Sequence, residues 1–138
     1  LELRGPDGRS HGLDSIHRGN VTVVAFWSCA CGPAGQIAPE FNRIADQLTG
    51  FGVDVFAVQT PSIYGDHPLS STPLGLDVPV YYDTDARAAA EFGFWGSVQL
   101  FVLDTDGLIR FEYVPIEDVL RTAVALVPPG KSMVAVAP

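Results

Sequence analysis

The sequence predicts an α/β protein of three layers, with a central mixed sheet of four or five strands, helices on both faces and an amino-terminal hairpin in front. Three observations carry this. Two β-branched, apolar runs at 21–27 and 53–58 flank an amphipathic segment, the signature of a parallel strand-helix-strand unit. A second half then runs helix, strand, strand, helix. Finally, 138 residues that are 47% hydrophobic and 17% charged suffice for one well-filled core but not for two ordinary domains.

Each element has its own signal. Leu1-Glu2-Leu3 followed by Gly5-Pro6-Asp7-Gly8 reads as a short strand entering a tight turn, and 13–16 as a connecting turn. The run 21–27 is apolar except for Thr22, as expected of a central strand buried on both faces. In 34–48, Ile37, Phe41, Ile44, Ala45 and Leu48 recur at three- and four-residue spacing and give a helix one apolar face, despite Pro39 inside it. Residues 53–58 form the second buried strand. The stretch 59–78 holds Pro61, Gly65, Pro68, Pro73 and Gly75 and reads as a long, turn-rich connection. Residues 80–82 form a short strand, and Asp83-Thr84-Asp85 offers caps to a helix over 86–92 that Gly93 ends. Strands at 98–103 and 108–114 are joined by the hairpin signal Asp104-Thr105-Asp106-Gly107. A final amphipathic helix spans 116–127. One domain over 1–126 is expected, with 127–138 as a tail that has little to hold it.

A net charge of −8, with only eight Lys and Arg, excludes the phosphate-neutralising surface that nucleic acid requires. No apolar stretch approaches the ~20 residues that span a bilayer, so the chain as given is expected to be soluble, without membrane insertion. It starts at Leu1 with no initiator Met, so a signal or anchor is expected to have been cleaved or to lie outside the sequence, and the setting, bacterial extracytoplasmic or cytoplasmic, stays open. No Gly-rich phosphate loop or Ser-His-Asp order stands out, and no cofactor is expected. Asp104 and Asp106 read as turn formers, His11 and His17 as surface residues.

Both cysteines fall in Phe26-Trp27-Ser28-Cys29-Ala30-Cys31-Gly32-Pro33-Ala34, where the first buried strand gives way to the helix. Two cysteines so close cannot staple distant segments, so they read as reactive or metal-binding. Carboxyl ends of strands in open α/β sheets are where ligands and chemistry gather. Cys31, at the start of the helix, faces unpaired amides and the helix dipole, which favour a thiolate and hence a nucleophile. The alternative is a leftover cysteine on a site without function.

The run Cys31-Gly32-Pro33-Ala34-Gly35-Gln36-Ile37-Ala38-Pro39 resembles the thioredoxin pattern Cys-Gly-Pro-Cys-x-x-Ile-Ala-Pro at six positions. The lead-in strand, the strand at 53–58, and Gly93 through Asp104-Thr105-Asp106-Gly107-Leu108-Ile109 are similar to the redoxin and cytochrome-maturation branch of thiol-disulfide reductases. Together the similarity covers roughly residues 1–126 and implies a thioredoxin-like fold. It implies a thiol-disulfide oxidoreductase acting on protein or small-molecule disulfides and serving cell redox homeostasis. The resemblance puts Cys31 and Cys29 in the catalytic role, and Trp27, Gly32, Pro33, Trp95, Ser97 and Val98 around the substrate.

Three departures stand against that pattern. Ala34 replaces the resolving cysteine, Ala25 stands where thioredoxins hold a buried acid, and Val98 falls where the family has its cis-proline. A non-proline cis bond costs ~2.5–4 kcal/mol, so a trans peptide is expected at Ser97-Val98. The departures make a non-catalytic binding module the alternative to the enzyme.

Cys29 can act as the missing thiol. Two residues of extended chain span up to ~7 Å and a disulfide needs Cα atoms ~4.4–6.8 Å apart, so a Cys29–Cys31 bond requires a bend at Ala30 and would be strained and oxidising. Equally, Cys29 can continue the strand into the core. A thiol peroxidase would use Ser28, three residues before Cys31, but Val24 replaces the proline that such enzymes carry and their arginine is missing near Val98. Cu(I) binding by the two cysteines, with His67, is a further alternative, whereas structural zinc would need four ligands. Trp27 is expected to pack beneath the loop. Trp95 reads as core packing or, if exposed, as the wall of a peptide groove.

Overall fold

The computed structural model describes residues 2–28, 33–61, 75–95 and 98–129. The run that begins at Val21 forms β3 (Thr22–Trp27), and every one of its residues is buried. It pairs in parallel with β4 (Asp54–Gln59), from Thr22↔Asp54 to Trp27↔Gln59, and antiparallel with β6 (Val98–Leu103), from Thr22↔Leu103 to Trp27↔Val98. Strand pleating sends alternate side chains to opposite faces. Val23, Ala25 and Trp27 accordingly join one core cluster, Val24 and Phe26 the other.

Helix α2 (Pro33–Gly50) covers the first face with the stripe its spacing predicts: Phe41, Ile44, Ala45 and Leu48 are buried, and Ile37 packs partly. It starts one residue earlier than expected because proline is well suited to the first helical position, where its missing N–H is no loss. Pro39 does not interrupt it. Helix α4 (Ile116–Val124) lies on the same face through Val119 and Ala123. It stops short of 127, and Leu126 and Val127 close with tighter bonds to the carbonyls of Ala123 and Val124. Helix α3 (Arg87–Phe92) covers the opposite face with Ala88, Ala89 and Phe92. There Phe26 meets Phe92, Phe94 and Phe101 at ring centroid distances of 4.9, 5.4 and 5.5 Å.

The sheet is larger than predicted. Its order is β2-β1-β5-β4-β3-β6-β7, seven strands, because the hairpin of β1 (Glu2–Arg4) and β2 (Ser10–Gly12) joins β5 (Val80–Tyr82) at Arg4↔Tyr82. Leu3, only 2% exposed, fastens that hairpin into the second cluster, and the short helix α1 (Leu13–Ile16) follows it. At the other edge β7 (Ile109–Phe111) is shorter than the predicted 108–114. A register shift at Val102/Leu103 disturbs its pairing, and Tyr113 takes a φ of 53°, outside extended backbone. Left-handed backbone at a non-glycine residue costs of order 1–3 kcal/mol, so something must hold Tyr113 there.

The β6–β7 turn is built around Asp104. Its Oδ1 accepts the amides of Asp106 (2.9 Å) and Leu108 (3.1 Å), its Oδ2 meets the Arg110 guanidinium at 3.4 Å, and Gly107 supplies a φ of 83°. The Asp104 carbonyl also accepts a 2.9 Å bond from His17 Nε2. His17 is therefore not a simple surface residue; it ties the end of α1 to the last hairpin. Likewise His11 is bonded to Asp7 at 3.0 Å and sits edge-on to Tyr81. The Leu108 amide first, then the Asp106 amide and Arg110, hold the Asp104 carboxyl below the usual carboxylate range.

A depressed carboxyl stabilises the fold above its unfolded value, near pH 3.9, and that contribution is lost as pH falls through the lower folded value. Asp104→Asn keeps the Oδ1 acceptor and removes the charge. Its urea midpoint should lie below the parent's at pH 7, and the two should converge in strong acid. A constant gap down to acid pH would assign the loss to geometry instead.

Candidate redox site

Among the residues expected at the site, the structure describes Trp27, Pro33, Trp95 and Val98. The expectations for Cys29, Cys31, Gly32 and Ser97, including the Cys29–Cys31 bond and the Ser97–Val98 peptide, lie outside the described residues, as does His67. What is described is the frame. Trp27 ends β3, Pro33 begins α2, and residues 28–32 join them. Val98 opens β6 as the register partner of Trp27, so the entry to β6 stands beside the exit from β3.

The frame's floor is polar and buried. The Thr60 amide donates to the Trp27 carbonyl at 3.0 Å, and the Thr60 hydroxyl donates to Asp83 Oδ2 at 3.0 Å. Asp83, 1% exposed, also accepts the Ala88 amide on Oδ1 at 3.0 Å and the Ala89 amide on Oδ2 at 2.9 Å, while its own amide donates to the Gln59 carbonyl. One carboxylate thus caps α3 and pins the carboxyl ends of β3, β4 and β5 together. The capping role was legible in Asp83-Thr84-Asp85; the link to Thr60 had no sequence signal.

Trp27 is fully buried and edge-on to Phe41 at 6.0 Å, so its indole packs beneath the frame and presents no surface for a substrate to touch. Among the described residues its Nε1 has no hydrogen-bond partner. Ala25 is buried in the same cluster, so β3 places no acid there. Val98 is half-buried and walls a cavity of about 230 Å³ with Ile37, Phe41, Gln99, Tyr113 and Ile116. Trp95 corrects the core-packing expectation: it is 62% exposed. Its neighbour Phe94 takes the core place, stacked on Phe26. Among the described residues no group of three or more His, Cys, Asp and Glu could hold a metal, and no helix is long and apolar enough to cross a membrane.

A central mixed sheet with β3 beside an antiparallel β6, and a long helix opening at the end of β3, defines a thioredoxin-like protein. The sequence profile of the AhpC/TSA family matches residues 1–112, and the chain belongs to that family. None of the curated proteins compared with it matches. Among solved structures, the exposed lipoprotein thioredoxin Etrx1 of Streptococcus pneumoniae superposes with a TM-score of 0.71 at 23% identity, covering 91% of this chain and 98% of that one. A putative thiol:disulfide interchange protein DsbE of Chlorobium tepidum gives 0.66 at 23% identity, covering 91% and 90%. The bacterioferritin comigratory protein of Xanthomonas campestris, described for alkyl peroxide reduction, gives 0.63 at 18% identity, covering 91% and 88%. At such identities the likeness is one of fold.

Asp83→Ala should destabilise the protein by about 1–3 kcal/mol, since it removes a cap and leaves a buried hydroxyl and two buried amides without an acceptor. Urea denaturation at pH 7 checks this. A loss below about 0.5 kcal/mol would mean that water replaces the carboxylate.

Proposed function

We propose that the protein is a thiol-disulfide oxidoreductase with Cys31 as its nucleophile. The observation that carries this reading is that β3 ends at Trp27, beside Val98, and α2 starts at Pro33, so that in sequence Cys31 falls between a strand end and a helix start, the setting that suits a reactive thiol. Membership of the AhpC/TSA family and the fold shared with the putative thiol:disulfide interchange protein support it.

In this reading the Cys31 thiolate attacks one sulfur of a substrate disulfide and forms a mixed disulfide, and the other substrate sulfur leaves as a thiolate. A second thiolate then attacks Cys31 Sγ, releases the reduced substrate and stays joined to Cys31 in a new disulfide; Cys31 and that thiol give one electron each, and an external dithiol reduces their disulfide to close the cycle. With alanine at position 34, the second thiolate is Cys29 or an external thiol. Gly32, Pro33, Trp95, Ser97 and Val98 would surround the substrate.

The family match and the peroxide-reducing Xanthomonas relative favour one second reading. There the Cys31 thiolate attacks the O–O bond of a peroxide, takes one oxygen as a sulfenic acid and releases the other as water or an alcohol. A third reading, a binding module without turnover, is favoured by the alanines at 25 and 34 and the valine at 98.

Insulin reduction with dithiothreitol separates them. The parent should turn over weakly, Cys31→Ser not at all, and Ala34→Cys far faster, because it restores the Cys-Gly-Pro-Cys spacing with a second thiol three residues on from Cys31. Cys29→Ser should slow the parent and spare the Ala34→Cys variant. Consumption of hydrogen peroxide with a trapped Cys31 sulfenic acid, without insulin reduction, would favour the peroxidase. An Ala34→Cys protein that folds, forms the 31–34 disulfide and stays inactive would leave the binding module.

A further inference from the structure

We infer that Tyr113 is a positioning residue, a latch that holds the 93–95 segment in place and so presents Trp95 to the substrate; the inference rests on the redox reading above. Four observations meet at Tyr113. Its backbone is left-handed at φ 53°, a conformation a tyrosine rarely adopts. Its hydroxyl donates to the Gly93 carbonyl at 2.6 Å, across 20 residues of sequence. Its ring packs on Phe101 at 5.4 Å. It also walls the cavity that Val98 and Ile37 line. The strained backbone thus aims a side chain across β6, from the β7–α4 junction to the end of α3.

The receiving end is shaped for that hydroxyl. Gly93 has a φ of 75°, and a Cβ there would stand 2.8 Å from the Tyr113 hydroxyl oxygen, so a side chain would break the latch from the other side. Beyond Gly93, Phe94 is buried against Phe26 with its amide on the Ala89 carbonyl at 2.8 Å. The Trp95 amide then donates to Gln99 Oε1 at 2.9 Å, and Gln99 is the residue after Val98. The amide of every residue from Gly93 to Trp95 has an acceptor, yet the segment ends in an indole 62% exposed to solvent. A rigid backbone under an exposed tryptophan provides contact area with little ordering cost on binding. We assign Trp95 to contact with the polypeptide beside the disulfide, and Tyr113 to keeping it there.

Two measurements test this. Amide hydrogen exchange on Tyr113→Phe, which keeps the ring and removes the donor, should show several-fold faster exchange at Phe94 and Trp95 and no change in β3. Unchanged exchange at those amides would overturn the latch, whatever the enzyme does. In insulin reduction, Tyr113→Phe and Trp95→Ala should each raise KM several-fold with kcat largely kept, and the double variant should be no worse than Trp95→Ala alone. Additive effects, or a fall in kcat at constant KM, would overturn the link between the two residues. A parent without turnover would remove the redox reading and the substrate role of Trp95 together, while the exchange result would still decide the latch.

Discussion

The structure hangs on β3. Its six residues are laddered on both sides, in parallel to β4 and antiparallel to β6, and buried on both faces. A strand with no free edge and no exposed face cannot slip by one residue, because a slip would exchange Val23, Ala25 and Trp27 with Val24 and Phe26 between two differently shaped cores. That fixed register determines which residues stand at its carboxyl end. Trp27 meets Gln59 on one side and Val98 on the other, so the edges of the candidate site are set by pairing rather than by loops.

Around that end the protein relies on polar groups wherever the ladder stops. Thr60 caps the Trp27 carbonyl, Asp83 takes the Thr60 hydroxyl and two α3 amides, and the Tyr113 hydroxyl closes onto Gly93. Buried polar groups are costly unless fully paired, and the Asp83 carboxylate has three donors. Among the described residues the Trp27 indole nitrogen is the exception, buried with no hydrogen-bond partner. Its ring is held by apolar packing within the cluster that includes Phe41.

What the sequence disclosed follows from how local each signal is. The stripe of α2, the runs of β3 and β4 and the Asp104 turn are short-range patterns, and they emerged with ends shifted by a residue or two. The union of the amino-terminal hairpin with the sheet depends on one long-range pair, Arg4↔Tyr82, and on where Leu3 is buried, which no periodicity encodes. Nor does a tyrosine advertise a left-handed backbone; in sequence, Tyr113 looked like the continuation of a strand. For Trp95 the sequence leaves the core and the exposed reading open, because an aromatic beside Phe94 gives no sign of which of the two turns inward. The motif Cys31-Gly32-Pro33 and the place of Val98 are readable by resemblance, but the pairing of Val98 with Trp27 emerges only from the antiparallel register.

The mixed pairing of β3 also sets an order of assembly. Trp27 and Gln59 are roughly thirty residues apart, whereas Trp27 and Val98 are roughly seventy apart, and each doubling of a loop adds only about 0.6 kcal/mol of closure entropy. That difference is small for stability but material for rate, since non-local pairing must be reached before its contacts form. The β3-α2-β4 unit is the segment able to condense early, with β6 docking onto a preformed edge. Substitutions in β4 would then slow folding, and substitutions in β6 would mainly hasten unfolding. By this sequence of events β6, which carries Val98 and Gln99, docks only after the β3-α2-β4 unit has condensed, so Trp27 gains its partner on that side late.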